Sequence, residues 1–185
     1  MKINLVILAA GNSTRFQENK LLYPYHGIAL VEHVFQHIPK ACFDQVIVVT
    51  QYKKVEALAK QYDFVVVYNP SPEKGISYSL HLGLEASLTS DGCMFLAGDQ
   101  PWLKTDSIKA LCEHFDGTHI LCASTHGIIK NPIIFPAAYY EELLSLVGDV
   151  GGKKVVHRHK EACILWEVDE HELYDVDTKA NLKIF

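Results

Sequence analysis

Arg15 and Lys20 stand five residues apart in the run LAAGNSTRFQENK, residues 8–20, directly behind the apolar INLVI. A guanidinium offers a planar fork to phosphate oxygens, and an ammonium offers a mobile point charge. Ahead of them, Ala9, Ala10 and Gly11 are small enough for a ligand to approach the backbone. Their successive N–H groups can form a nest for an anion, and Ser13 and Thr14 add hydroxyls. The spacing suits a phosphate chain. It equally suits a polar strand-to-helix connection with solvated charges. Neither the P-loop pattern GxxxxGK(S/T) nor the dinucleotide pattern GxGxxG occurs after this first apolar run, so Lys20 is not a Walker lysine.

The second set of candidates is acidic. Asp99 follows the apolar run CMFLAG, with Pro101 two residues on to stop its continuation. A carboxylate there can hold Mg²⁺, a hard cation that prefers oxygen ligands, or can cap the next turn. Asp175 and Asp177 stand two apart in YDVDTKANL; on a strand they would share a face and could meet one ion. Asp177 or Thr178 could instead cap a short final helix. Ser77 similarly fits the N-cap of a helix through ISYSLHLGL. His33 and His37 have i, i+4 spacing, but HExxH is absent and zinc is not expected. No arrangement of Ser, Cys and His presents an activated nucleophile.

These residues need elements to position them. The runs INLVILA, QVIVVT, FVVVYN and CMFLAGD read as strands buried on both faces. Between them lie helical stripes: Val31, Val34, Phe35, Ile38; Val55, Leu58, Ala59, Tyr62; Leu80, Gly83, Leu84, Leu88; and Ile108, Leu111, Cys112, Phe115. Strand alternating with helix predicts an α/β fold, a parallel sheet with helices on both faces. In such sheets ligands collect at the carboxyl ends of the strands, where the loops carrying Arg15, Lys20 and Asp99 fall. The last third is less regular. HILCAS and NPIIF read as two strands around THGIIK, Tyr140, Leu143, Leu144 and Val147 as a helix broken by GDVGG, and CILWEV as a late strand.

A chain of 185 residues suits one domain with a sizeable core. Hydrophobic residues make up 49% of the chain and charged residues 21%. That is the composition of an ordinary globular protein. The net charge of −5 argues against a general nucleic-acid surface, so any anion site must be built locally. The apolar run at the N-terminus is too short for a membrane span and has no signal cleavage pattern. The five cysteines form no CxxC pair and are expected as buried reduced thiols. A cytoplasmic protein without membrane or nucleic-acid partners is the expectation.

Taken in order, five segments resemble the signatures of the molybdenum cofactor nucleotidyltransferase family. LAAGNSTRFQENK is similar to LAAGxSxRxGxxK, with Gln17 at the usual glycine. NPSPEKGISYSLHLGL is similar to NPxxxxGMxxSLxxGL, and GDQP to GDxP. NPIIF with LLSLVGDVGG resembles an (N/H)PVLF strand and a GDxGA loop, with Lys130 before Asn131 where glycine is usual. YDVDTKANL resembles DxDTPEDL, with Lys179 in place of proline.

The resemblance covers nearly the whole chain and implies a three-layer Rossmann-like nucleotidyltransferase fold with a mostly parallel central sheet. It implies one domain, residues 1–185, whose N-terminal half binds nucleotide and whose C-terminal half binds the acceptor. Arg15, Lys20 and Asp99 would be catalytic. Leu8, Ala9, Ala10, Gly11, Ser13, Gly75, Ser77, Ser79 and Gly98 would bind nucleotide. Asn131, Asp149, Gly151, Gly152 and Lys153 would receive the acceptor. Asp99, Asp175 and Asp177 would be candidates for holding Mg²⁺. CTP or GTP and molybdopterin are the implied substrates, with a transient molybdoenzyme or chaperone partner. Ala9-Ala10-Gly11 resembles the cytidylyl members more than the guanylyl members, an inclination toward CTP.

Overall fold

The structure is a computed structural model and describes residues 1–16 and 18–183; Gln17, one of the departures from the family pattern, lies outside them. In chain order the strands are β1 (Ile3–Ala9), β2 (Pro24–Tyr25), β3 (Ile28–Ala29), β4 (Gln45–Thr50), β5 (Val65–Tyr68), β6 (Gly92–Ala97), β7 (Ile120–Thr125), β8 (Ile128–Pro136) and β9 (Cys163–Glu167). The α-helices are α1 (Leu30–Gln36), α2 (Lys53–Gln61), α3 (Ile76–Glu85), α4 (Thr105–His114), α5 (Tyr140–Leu144) and α6 (Lys153–Arg158).

Seven strands form one sheet in the order β5-β4-β1-β6-β8-β7-β9, while β2 and β3 make a separate short hairpin. β5, β4, β1 and β6 are parallel neighbours, and β8 alone runs antiparallel, to both β6 and β7. β9 returns parallel to β7. The fold is thus the expected α/β Rossmann-like nucleotidyltransferase fold with a largely parallel central sheet.

The continuous apolar runs are explained by what covers them. Leu5 and Ile7 of β1, Val48 of β4, and Met94 and Leu96 of β6 join a core with Val31 and Val34 of α1, Val55 of α2 and Leu111 of α4. Their sequence neighbours Val6, Ile47, Val49, Cys93 and Phe95 face the opposite way, into a second core with Leu80 and Leu84 of α3, Leu143 of α5 and Val155 of α6. Strand alternation distributes each run between the two helix layers. Gly83 lets α3 lie directly on β1, since a Cβ there would come within 2.3 Å of Val6 Cγ1.

Some expectations need correcting. α3 ends at Glu85, so Leu88 falls beyond the helical stripe and is 53% exposed. α5 ends at Leu144; Val147 is 84% exposed, and Leu146 is the residue that turns inward. The strand read as NPIIF begins earlier, at Ile128, because the hairpin from β7 needs only two residues. His126 and Gly127 both have positive φ, the backbone of a tight hairpin turn. Of the cysteines, all free, Cys93 and Cys122 are buried, whereas Cys42, Cys112 and Cys163 are only partly so. No helix among the described residues is long and apolar enough to cross a membrane.

Candidate active site

β1 ends at Ala9, and the chain turns at Ser13, whose φ is +51°. Phe16 N–H donates to the Ser13 carbonyl at 3.0 Å, and the Phe16 ring is buried against Leu30 and Val176. That anchor leaves Arg15 pointing outward while the chain returns to Lys20, whose N–H donates to Ser13 Oγ at 3.3 Å. Two residues after β4 fix the other side of this loop. Gln51 Nε2 donates to the Ala10 carbonyl at 2.8 Å and to Asn12 Oδ1 at 2.9 Å, and Tyr52 Oη donates to the Gly11 carbonyl at 2.8 Å. With those carbonyls held on the β4 side, the loop keeps one geometry. Sequence reading missed both residues; the polar pair closing an apolar strand next to the basic loop is the signal that could have found them.

Asp99 stands across from the loop. Gly98 N–H continues the sheet by donating to the Leu8 carbonyl at 3.0 Å, and a Cβ on Gly98 would lie only 3.3 Å from that of Ala9. The ends of β1 and β6 therefore pack closely, bringing Asp99 to Lys20, with Lys20 Nζ donating to Asp99 Oδ2. The same ammonium is 3.6 Å from Asp177 Oδ1, and Arg15 Nη1 is 3.1 Å from Asp177 Oδ2. The two cations differ in setting: the Lys20 side chain is 15% exposed and that of Arg15 is 73% exposed.

These groups open onto a cleft of about 560 Å³. One wall is the first loop, through Leu8, Ala10, Gly11, Ser13, Arg15 and Lys20. Glu73, Lys74, Gly75, Ile76 and Ser79 form the facing wall with Gly148 and Asp149, and Asn131, Asp99 and Asp177 are also on the lining. Gly75 has φ +86°, and a Cβ there would strike the Gly148 carbonyl carbon and oxygen at 2.6 Å. The Ser77 N–H donates to the Gly148 carbonyl at 3.2 Å. Ser77 is thus not the N-cap of α3: Gly75 holds that position, and Ser77 is buried behind the wall. Ser79 Oγ accepts from Asn69 Nδ2 at 2.9 Å, a buried tie the sequence reading did not anticipate, although Asn-Pro after a strand marks the turn.

Ala9, Gly98, Gly151, Gly152, Lys153 and Asp175 do not line the cleft. Ala9 is core, and Gly152 is small because a Cβ would lie 2.9 Å from the Phe135 ring. Asp175 sits just behind the lining. Burial and the Asp99 charge push its carboxyl up to about 6, against the pull of Lys130 and Lys153. Lys130, the departure from the family's glycine, thereby faces a carboxylate. Lys179, the departure from proline, pairs with Glu18 and lies over the Phe16 and Tyr23 rings. The Asp177–Thr178 turn is capped from the other direction: Asn181 Oδ1 accepts from both N–H groups, leaving the Asp177 carboxylate to the two cations.

Among the described residues no three His, Cys, Asp or Glu side chains converge to hold a metal by themselves. Mg²⁺, however, is commonly bound by one or two carboxylates plus substrate phosphates. Asp99 and Asp177, which line the cleft, and Asp175 behind them are the carboxylates that fit that donor set. All three supply hard oxygens, and Asp175 Oδ1 is buried without a hydrogen-bond partner among the described residues.

Known proteins share this fold. The profile of the MobA-like NTP transferase domain matches residues 5–163. The chain is 27% identical to the purine catabolism protein PucB of Bacillus subtilis, over 94% of this chain and 90% of that one. It is 26% identical to a probable molybdenum cofactor guanylyltransferase of Pyrococcus horikoshii, over 80% of this chain and 75% of that one. The crystal structure of Rv0371c from Mycobacterium tuberculosis superimposes with a TM-score of 0.86 and 26% identity, covering 100% of this chain and 96% of that one. Rv0371c has also been solved in complex with manganese. Against the longer bifunctional protein GlmU of Acetivibrio thermocellus the chain spans 34% of the relative's length. With the profile spanning most of its length, the chain belongs to the family of MobA-like NTP transferase domains: it is a nucleotidyltransferase acting on a phosphate-bearing substrate.

Proposed function

We propose that this chain transfers CMP from CTP to the terminal phosphate of molybdopterin and releases pyrophosphate. The observation that carries this reading is the convergence of Arg15, Lys20 and Asp99 on one cleft, with Asn131 and Asp149 on the same lining. The first loop suits the nucleotide's phosphates, and the side bearing Asn131 and Asp149 suits the acceptor. The molybdenum cofactor guanylyltransferase relative supports the acceptor and makes GTP the nearest competitor for the base.

A phosphate monoester is largely ionised near neutral pH, since its second pKa is about 6. It can attack the α-phosphorus of the nucleotide without a general base, and pyrophosphate departs in line. The protein's part is positioning and charge neutralisation. Lys20, held by Ser13 and by its burial, and the outward Arg15 would meet the charge growing on pyrophosphate. Gln51 and Tyr52 would keep the loop in the shape that receives it. Asp99, with Asp175 or Asp177 as the second carboxylate, would hold Mg²⁺, which when bound would draw charge from the phosphate oxygens.

The test is a panel of CTP, GTP, ATP and UTP with molybdopterin and Mg²⁺, scored for pyrophosphate. CTP is expected to give the fastest release. Release with GTP instead would keep the reaction and change the base; release only with a sugar phosphate would overturn the acceptor. No release with any acceptor would leave a nucleotide-binding protein without chemistry.

A further inference from the structure

Two of the cations on the cleft lining, Arg15 and Lys20, stand on the first loop and are ion-paired with Asp177 and Asp99. A third, Lys74, stands on the facing wall. Among the described residues no carboxylate pairs with it; its ammonium lies over the Tyr78 ring, 4.6 Å from the centroid. Lys74 is exposed, and a ring contact at an exposed site is weak enough to be given up for a phosphate. Its backbone, in contrast, is fixed. The Lys74 N–H donates to the Ser71 carbonyl at 3.1 Å, and the Ser71 N–H donates to Oδ1 of the buried Asn69 at 2.9 Å. Gly75, the next residue, is the one packed against Gly148. A mobile cation is thus rooted at the seam where the turn after β5 meets the turn bearing Asp149.

A counter-charge is needed at that seam. The triphosphate has Arg15 and Lys20, and the base and ribose are uncharged. The acceptor's phosphate monoester is largely a dianion near neutral pH, and it must come in line with an α-phosphate that is itself anionic. The lining beside Lys74 otherwise offers it the acids Glu73 and Asp149 and the neutral Asn131. We propose that Lys74 binds the phosphate of the acceptor, leaving the Tyr78 ring to do so, and draws it across the seam toward the nucleotide. This rests on the reading of the cleft as joining a phosphate monoester to a nucleoside triphosphate. An ammonium on a flexible stem suits a group that must approach, react and depart as product.

The experiment measures pyrophosphate release against molybdopterin concentration at saturating Mg²⁺ and CTP, or GTP if the wild type prefers it. Binding of that nucleotide with Mg²⁺ is measured separately by calorimetry. The proteins are the wild type, Lys74→Gln, Lys74→Arg and Lys54→Gln. Lys74→Gln is expected to raise the KM for molybdopterin about tenfold, with kcat and the nucleotide Kd within about twofold of the wild type. Lys74→Arg keeps a phosphate-binding charge and is expected to restore most of the lost affinity. Lys54→Gln removes a lysine of α2 that is off the lining, and is expected to change neither constant. An unchanged KM in Lys74→Gln would overturn the inference and leave the reading of the cleft standing. A loss of nucleotide affinity in place of acceptor affinity would overturn it as well, making Lys74 a nucleotide ligand. So would an equal rise in KM from Lys54→Gln, as an effect of overall charge. If the wild type uses a sugar phosphate and not molybdopterin, the choice of acceptor falls. A tenfold rise in the KM for that sugar phosphate in Lys74→Gln would then sustain the inference, and no rise would overturn it. No release by the wild type with either acceptor would overturn both the inference and the reading beneath it.

Discussion

The two walls of the cleft are held by different forces. The first loop carries its cations on hydrogen bonds and ion pairs, from Gln51, Tyr52, Asp99 and Asp177. The opposite wall contributes turns packed backbone against backbone, Gly75 on Gly148, with no side chain between them. A charged contact can change partners when a ligand arrives; a steric one cannot. The difference gives one wall exchangeable ion pairs and the other a fixed backbone shape.

The sharpest way to break that contrast is Lys20→Ala. Turnover is expected to fall about 100-fold, the loss associated with one electrostatic stabiliser, while the melting temperature moves little. A large stability loss with normal turnover would reverse the roles of the walls. Gly75→Ala should do the opposite. The added Cβ meets the Gly148 backbone at 2.6 Å, at a φ that L residues rarely adopt. About 2–3 kcal/mol of stability should be lost as a result. Thermal unfolding would show this as a melting temperature lower by about 5–10 °C.

Asp175, buried off the cleft lining and near Asp99, sharpens the comparison through pH. Its carboxyl is raised from 3.8 to about 6, so the native state binds more protons than the unfolded chain between those values. This group's contribution to stability is therefore complete below about pH 4 and declines as pH rises toward 6. Asp175→Asn is expected to be more stable at pH 7 by about 1–2 kcal/mol and to lose that pH dependence, read as melting temperature against pH. It should lose Mg²⁺-dependent turnover as well, and wild-type turnover should fall as pH drops below about 6. The smallest effect belongs to Val147→Ser. Val147 lies near the packed wall yet is almost wholly exposed. Its replacement should change stability by less than about 0.5 kcal/mol in denaturant titration.

How much could be read beforehand follows the same division. β1, β4 and β6 were legible because both faces of each are covered, which leaves uninterrupted apolar runs; β5, read the same way, is instead an edge strand with Val65 and Tyr68 exposed. Arg15, Lys20 and Asp99 were legible because their residue types stand out at strand ends. The C-terminal third was not. β8 is read as short because Lys130 and Asn131 interrupt it with polar residues, at the place where its pairing register with β7 shifts. Val147 continues a helical stripe in spacing, yet the chain has already left the helix. Gly75 looked like a contact for a base, and its steric role could not be seen, because Gly148 lies 73 residues away and only the folded chain brings the two together. Long-range backbone contacts leave no periodic trace.

The β7–β8 hairpin has a consequence of its own. β6 stops pairing with β8 at Phe95 opposite Ile133, while β7 and β8 run on to Thr125 opposite Ile128. β7 and β8, with β9 paired to β7 as far as Ser124, therefore run on past the end of β6 beside Asn131. Adding or deleting residues in facing pairs would alter the hairpin's reach and preserve which side chains look inward, whereas a single insertion would turn the hairpin inside out. Its length can change without disturbing the loop that carries Arg15 and Lys20.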